Sequence, residues 1–199
     1  ADMIGRRVGS NLVNISDCPS IPHSYGFYLY DDEGVEAKKK ELMKAGVITG
    51  FLHNRETAHD FGVASNAAMR ATLYAREPII RMSNTYVEAG DCSLEEMLEG
   101  CRAGVYVKSF QEWNIDDLRW NNRYVGLEAY MIREGELGTP IRSPIIEATT
   151  DVLFSSVVAV GKEVGFKAAT CGKGQPSQGA PVWTGGPPMK MRGILIKSR

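Results

Sequence analysis

The chemistry-bearing part of this sequence is a glycine-rich stretch around its last cysteine, Ala169-Thr170-Cys171-Gly172-Lys173-Gly174-Gln175, running on to Trp183-Thr184-Gly185-Gly186-Pro187-Pro188. Glycine and proline favour irregular backbone, so the stretch reads as a loop with Cys171 at its crown. Loops held by a rigid scaffold are where binding and chemistry concentrate. Lys173 stands two residues after the cysteine, and a nearby cation favours thiolate, the form that binds metal. From residue chemistry alone, Cys171 is a metal ligand, a nucleophile or an inert thiol. A Cys171–His nucleophilic pair stays open, because such partners meet in space without being close in sequence.

The remaining reactive side chains form no standard pattern. His53 and His59 are separated by five residues and fit no zinc motif, and the third histidine is His23. They read as structural or exposed residues. Cys18, Cys92 and Cys101 read as small buried hydrophobes. Asp31-Asp32 and Glu95-Glu96 read as turn and helix-surface charges rather than acid/base pairs. Phosphate-loop, dinucleotide-binding, nucleophile-elbow and H-E-x-x-H signatures are all absent. The run Gly172-Lys173-Gly174 lacks the spacing and the following helix of a phosphate loop.

Composition bounds the class. The chain has 199 residues, 43% of them hydrophobic and 24% charged, with a net charge of −1. That is ordinary for a globular protein with ample material for a core. Cations are dispersed apart from Lys38-Lys39-Lys40, which argues against nucleic acid as a direct partner. No stretch is long and apolar enough to span a membrane as a helix. No secretory leader is legible, and no cysteine sits in a C-x-x-C pair. Reduced thiols and a cytoplasmic location are the expectation. The first residue is not Met, as in a fragment or a processed product.

The elements that must position Cys171 are mostly strands. Aromatic Tyr25–Tyr30 reads as a strand ending at the turn Asp31-Asp32-Glu33-Gly34, and residues 36–53 as a hairpin. Asn54 caps a short helix, Arg55 to Phe61, stopped by Gly62. Ser93 with Glu96 forms a capping box for a second helix from Leu94. Strands follow over 104–108, 120–133 and 139–146, with 109–119 as a polar connection. A helix is expected over about 151–162, and a closing strand over 189–196. The sum is a single α+β domain, 1–199, mainly β. It is an antiparallel or barrel-like sheet with two or three short covering helices.

Several segments, taken in order, resemble the TldD/PmbA family, known as metallopeptidases and historically as modulators of DNA gyrase. They are Asp31-Asp32-Glu33-Gly34 with Gly46–Ala58, then Arg81-Met82-Ser83-Asn84-Thr85-Tyr86, then Gly104-Val105-Tyr106-Val107, and finally Cys171-Gly172-Lys173. The Arg-Met-x-Asn-Thr-Tyr form and the cysteine tail resemble the TldD branch. There, an H-E-x-x-x-H helix supplies two histidines and a catalytic glutamate, and the tail cysteine completes the zinc site. The resemblance therefore implies that Cys171 is a zinc ligand. It also implies that this chain is the C-terminal domain of a longer protein and lacks the H-E-x-x-x-H half. On that reading it holds no catalytic residue and is inactive alone, and zinc binds only with the missing half.

Arg81, Asn84 and Tyr86 are the expected contacts to a peptide or unfolded-polypeptide substrate, by β-addition near the site. The family implies assembly as a homo-oligomer or with a PmbA-like subunit. A non-catalytic scaffold or partner is the alternative, and a patch containing Trp113, Trp120 and Tyr124 suits such an interface.

Overall fold

A computed structural model of the chain describes residues 3–198. In chain order the elements are β1 (Ile15–Asp17), β2 (Lys40–Lys44), β3 (Val47–Ile48), α1 (Arg55–Asp60), β4 (Met69–Arg70), β5 (Ile79–Ile80) and β6 (Asn84–Val87). Then come α2 (Leu94–Glu99), β7 (Ala103–Ile115), β8 (Asn121–Arg133), β9 (Glu136–Pro140), β10 (Ile145–Thr149) and α3 (Thr150–Ser155). Last are β11 (Val157–Val160), β12 (Gly165–Lys173), β13 (Gln178–Gly186), β14 (Met189–Met191) and β15 (Ile196–Lys197). The fold is α+β and mainly β, with three short helices among the described residues, as the sequence reading holds.

The chain packs as two compact units. One comprises residues through Arg7, Val13–Glu88 and Val164–Pro187. The other comprises Val8–Leu12, Ala89–Glu163 and the residues from Pro188 on. The first unit is built on a six-stranded sheet of order β12-β13-β6-β1-β2-β3. The β13–β6 pair is parallel and its other pairs are antiparallel. Ile15-Ser16-Asp17 is central, so Ser16 and Asp17 are fully buried despite being polar. Val13, Met43, Val87, Ala180 and Val182 supply apolar core around them.

Two helix starts follow their caps. Thr57 donates its backbone N–H to the Asn54 side chain at 2.8 Å, and the Thr57 hydroxyl takes the Asn54 N–H in return. Gly62 then turns with φ +64°, a conformation suited to glycine. In the second unit, Glu96 and Ser93 exchange bonds of 3.1 and 2.6 Å. That unit carries an antiparallel sheet in which β15, β10, β8 and β7 lie in order and β9 also pairs with β8.

Four local expectations are corrected. Tyr25–Tyr30 is not a strand: side-chain bonds hold it instead, with Gly26 N–H donating to Asn84 Oδ1 at 3.1 Å and the Tyr28 hydroxyl to the Ala67 carbonyl at 2.6 Å. The polar stretch 109–115 belongs to β7, because an exposed strand tolerates polar residues. The expected 151–162 helix stops at Ser155, and the β-branched run from Val157 pairs with β14. The glycine-rich tail is a β-hairpin rather than a loop, with β12 and β13 in continuous register from Gly165↔Gly186 to Lys173↔Gln178.

Candidate functional site

Cys171 lies on β12, directly across from Ala180 on β13. β12 is the end strand of its sheet, and among the described residues no strand pairs its other edge. Cys171 is half-buried, and all four cysteines are free thiols. Successive residues of a strand face opposite ways, so Cys171 shares a face with Ala169 and Lys173. Phe166 stands on the other.

That other face carries an aromatic cluster. Phe166 stacks on Trp183 with ring centroids 5.2 Å apart and meets Tyr86 edge-on at 5.3 Å. Gly185 lies between Phe166 and Tyr86 in the register. A Cβ there would come within 2.5 Å of the Phe166 ring, so the glycine is what lets the ring lie across β13. Burial raises the pKa of the Tyr86 phenol.

On the cysteine side, two side chains lace segment 79–81 to the end of β12. Arg81 donates from Nη2 to the Cys171 carbonyl. Lys173 donates from Nζ to the Ile80 carbonyl at 2.9 Å. Arg81 is 1% exposed, and its Nε and Nη1 are buried without a hydrogen-bond partner. Arg70 completes the frame, donating to the carbonyls of Met82 at 2.7 Å and Pro181 at 3.0 Å and lying over the Tyr28 ring.

A buried ionic knot holds the neighbouring strands. Asp17 accepts from Lys40 Nζ at 3.0 Å, from Ser83 N–H at 2.7 Å, and from the Ser83 and Thr85 hydroxyls at 2.6 and 2.7 Å. Burial, and next the Asp17 charge, push the Tyr28 phenol's pKa up. Sequence reasoning missed Asp17, Lys40, Tyr28 and Arg70. The only signal is an acid two residues beyond the short apolar piece ending at Ile15, and that does not locate its partners.

The structure brings Arg81 and Cys171 together. It places Asn84 fully buried, donating from Nδ2 to the Cys18 carbonyl and the Ser24 hydroxyl, both at 2.8 Å. Asn84 Oδ1 accepts from Gly26 and Trp183 N–H. Its polar atoms thus serve the fold. Asn84→Ala strands several of these buried groups, and each unsatisfied buried group costs about 1–3 kcal/mol. A loss of roughly 2–4 kcal/mol in urea unfolding is expected for this variant, at the upper end of single-site effects. Tyr86 keeps partial exposure on the aromatic face. β6 itself is paired on both sides, by β13 and β1, so the free edge in this region belongs to β12.

A thiol with part of its surface open suits zinc, whose catalytic sites use three protein ligands and keep one position for water. Among the described residues, no group of three or more His, Cys, Asp or Glu is placed to hold a metal ion. His53 is buried, its Nδ1 3.2 Å from the Thr57 hydroxyl and its ring beside Phe61, and burial lowers its pKa. Cys171 offers the kind of donor that zinc accepts, and among the described residues no metal-binding group of three or more such side chains is formed around it.

In the second unit, Trp113 is 63% exposed and pairs across the ladder with Tyr124, which in turn meets Phe110 at 5.4 Å. Trp120 sits just before β8. The same sheet carries a polar cleft of about 630 Å³ in which Glu147 pairs with both Arg123 and Lys197. No helix among the described residues is long and apolar enough to cross a membrane.

Residues 1–198 match the PmbA/TldA metallopeptidase C-terminal domain. A metalloprotease of Methanocaldococcus jannaschii is 37% identical over 186 residues, covering 93% of this chain and 40% of that protein. One from Archaeoglobus fulgidus is 36% identical, covering 96% and 44%. A zinc metalloprotease TldD homolog of Saccharolobus solfataricus is 30% identical, covering 96% and 43%. The chain thus spans about two-fifths of the length of these relatives. Among solved structures, TldE from Thermococcus kodakarensis superposes with a TM-score of 0.79 at 21% identity, covering 98% of this chain and 42% of that one. A Thermotoga maritima protein described as a modulator of a DNA gyrase does so with a TM-score of 0.78 at 23% identity, covering 98% and 41%. At these identities the likeness shows the fold.

Proposed function

The chain belongs to the PmbA/TldD metallopeptidase family, and from that membership we propose that it is the C-terminal domain of a TldD-like zinc peptidase, supplying one metal ligand, Cys171. The observation that carries the reading is the placement of Cys171: a half-exposed free thiol on a strand whose outer edge no strand pairs among the described residues. The remaining ligands and the general base come from a segment outside residues 1–199. By itself this chain neither retains zinc nor hydrolyses peptides.

When bound, zinc supplies a polarised carbonyl and a water acidic enough to attack at neutral pH. The chain's own residues do the rest of the work on this side of the site. The free edge of β12 offers backbone N–H and C=O groups to an extended peptide, which needs no particular side chains to pair there. Such recognition suits unfolded polypeptide. Alternate side chains of that peptide face Phe166 on β12, which is backed by Trp183 on β13 and Tyr86 on β6, so Tyr86 supports that contact from behind Phe166. Arg81 and Asn84 act through the strands they hold.

The test is made on the longer protein. Zinc content and peptide hydrolysis are compared between wild type and Cys171→Ser. Loss of both supports the reading, and retention of both sinks it. A second reading, a non-catalytic subunit of a homo-oligomer or of a complex with a PmbA-like chain, is favoured by exposed Trp113 beside Tyr124. Aromatic residues are enriched at interfaces. Retained folding and assembly with no metal would leave that reading in possession.

A further inference from the structure

We infer that Arg81 is a positioning residue for the metal ligand, holding the Cys171 backbone so that its sulfur stands where a metal needs it. The inference rests on the proposed role of Cys171. A guanidinium is costly to bury, and partners normally compensate it. Arg81 is 1% exposed, yet two of its three nitrogens have no hydrogen-bond partner. The third donates to the carbonyl of Cys171 itself. As a purely structural element this arrangement is poor, because an apolar side chain of similar length would fill the space without the buried charge. What the guanidinium alone provides is the bond to residue 171.

The location makes that bond consequential. Among the described residues β12 has a ladder partner on one side only, and an end strand is the least constrained strand of a sheet. Arg81 to the Cys171 carbonyl and Lys173 to the Ile80 carbonyl form a reciprocal clasp. Gly174 lies against Ile79 at the same junction, where a Cβ would come within 3.2 Å of Ile79 Cδ1. The clasp fixes the cysteine end of β12 against segment 79–81. Groups that orient a metal ligand without touching the metal commonly set affinity by about 10–100-fold.

The experiment uses the longer zinc-loaded protein and compares wild type, Cys171→Ser, Arg81→Met and Arg81→Lys. Zinc affinity is read by competition with a chromophoric chelator, and folding by thermal unfolding of the metal-free proteins. Arg81→Met is expected to fold with a midpoint near wild type and to bind zinc at least ~10-fold more weakly. Arg81→Lys keeps a charged donor and is expected to recover part of that affinity. A structural role predicts the reverse for Arg81→Met, a lowered midpoint with unchanged zinc affinity, and that result overturns the inference. Should Arg81→Met fail to fold, Arg81→Gln takes its place: it stays polar but falls short of the carbonyl, and zinc held at wild-type affinity overturns the inference equally. If Cys171→Ser itself keeps zinc at wild-type affinity, the ligand reading fails and the positioning role falls with it. If Cys171→Ser loses zinc and the Arg81 variants do not, only the positioning role fails.

Discussion

Cys171→Ser in the longer protein is expected to remove zinc and to lower peptide hydrolysis by at least ~10²-fold, with folding unaffected. The two halves of that expectation have different physical origins. A thiolate is a strong zinc ligand and a serine hydroxyl is not, so a three-ligand set reduced to two loses most of its hold on the metal. Every catalytic contribution that depends on the metal goes with it, and such contributions amount to several kcal/mol of barrier. Folding is spared because Cys171 is half-buried and packs across from Ala180, where an oxygen replaces sulfur with little change in volume. A surface-proximal change of that kind stays within about 0.5 kcal/mol. Metal analysis, a peptide-hydrolysis assay and a thermal melt of the same preparation check all three parts. Zinc retained at one per chain in the serine variant would remove Cys171 from the ligand set.

The legible part of this protein is local. Asn54 with Thr57 and Ser93 with Glu96 declare helix starts through side chain-to-backbone bonds within three residues, so sequence spacing alone finds them. Cys171 is singled out by its neighbours in the chain and by its place in an ordered set of family segments. The illegible part is what depends on pairing between distant segments. The tail 165–186 is rich in glycine and reads as a loop, yet it forms two nine-residue strands, because ladder bonds are made by backbone. Tyr25–Tyr30 has strand-like composition and still finds no ladder, since Asn84, some sixty residues on, captures its backbone. The valines from Val157 suit a buried helix or a strand equally, and only β14 decides between them. The knot around Asp17 is assembled from distant segments: its partners Lys40, Ser83 and Thr85 come from β2, from the residue just before β6 and from β6 itself.

That knot yields the largest expected effect on stability. Asp17→Ala is expected to destabilise the chain by about 3–5 kcal/mol, the range for removing one partner of a buried ion pair. The deletion leaves the Lys40 ammonium 23 residues away in sequence but 3.0 Å away in space, with a side chain 2% exposed and no carboxylate. It also strands the Ser83 N–H and the Ser83 and Thr85 hydroxyls. Lys40→Met should cost less, because the Asp17 carboxylate keeps those three donors and three hydrogen bonds can carry a buried anion. The asymmetry discriminates between two pictures. If the ion pair as such stabilises the sheet, the two variants lose equally. If Asp17 instead organises segment 83–85 by hydrogen bonding, Asp17→Ala loses clearly more, and Asp17→Asn, which keeps one acceptor oxygen, falls between them. Segment 83–85 runs from Arg81 into β6 and pairs with β13 at Trp183 and Thr184. The second picture therefore couples stability to the site: in the longer protein Asp17→Ala should weaken zinc binding through Arg81 even under conditions where it remains folded. Urea unfolding of the three variants measures the order, and zinc competition at low temperature measures the coupling. Equal losses in Asp17→Ala and Lys40→Met, with zinc affinity unchanged, would reduce the knot to a plain ion pair with no hand in the site.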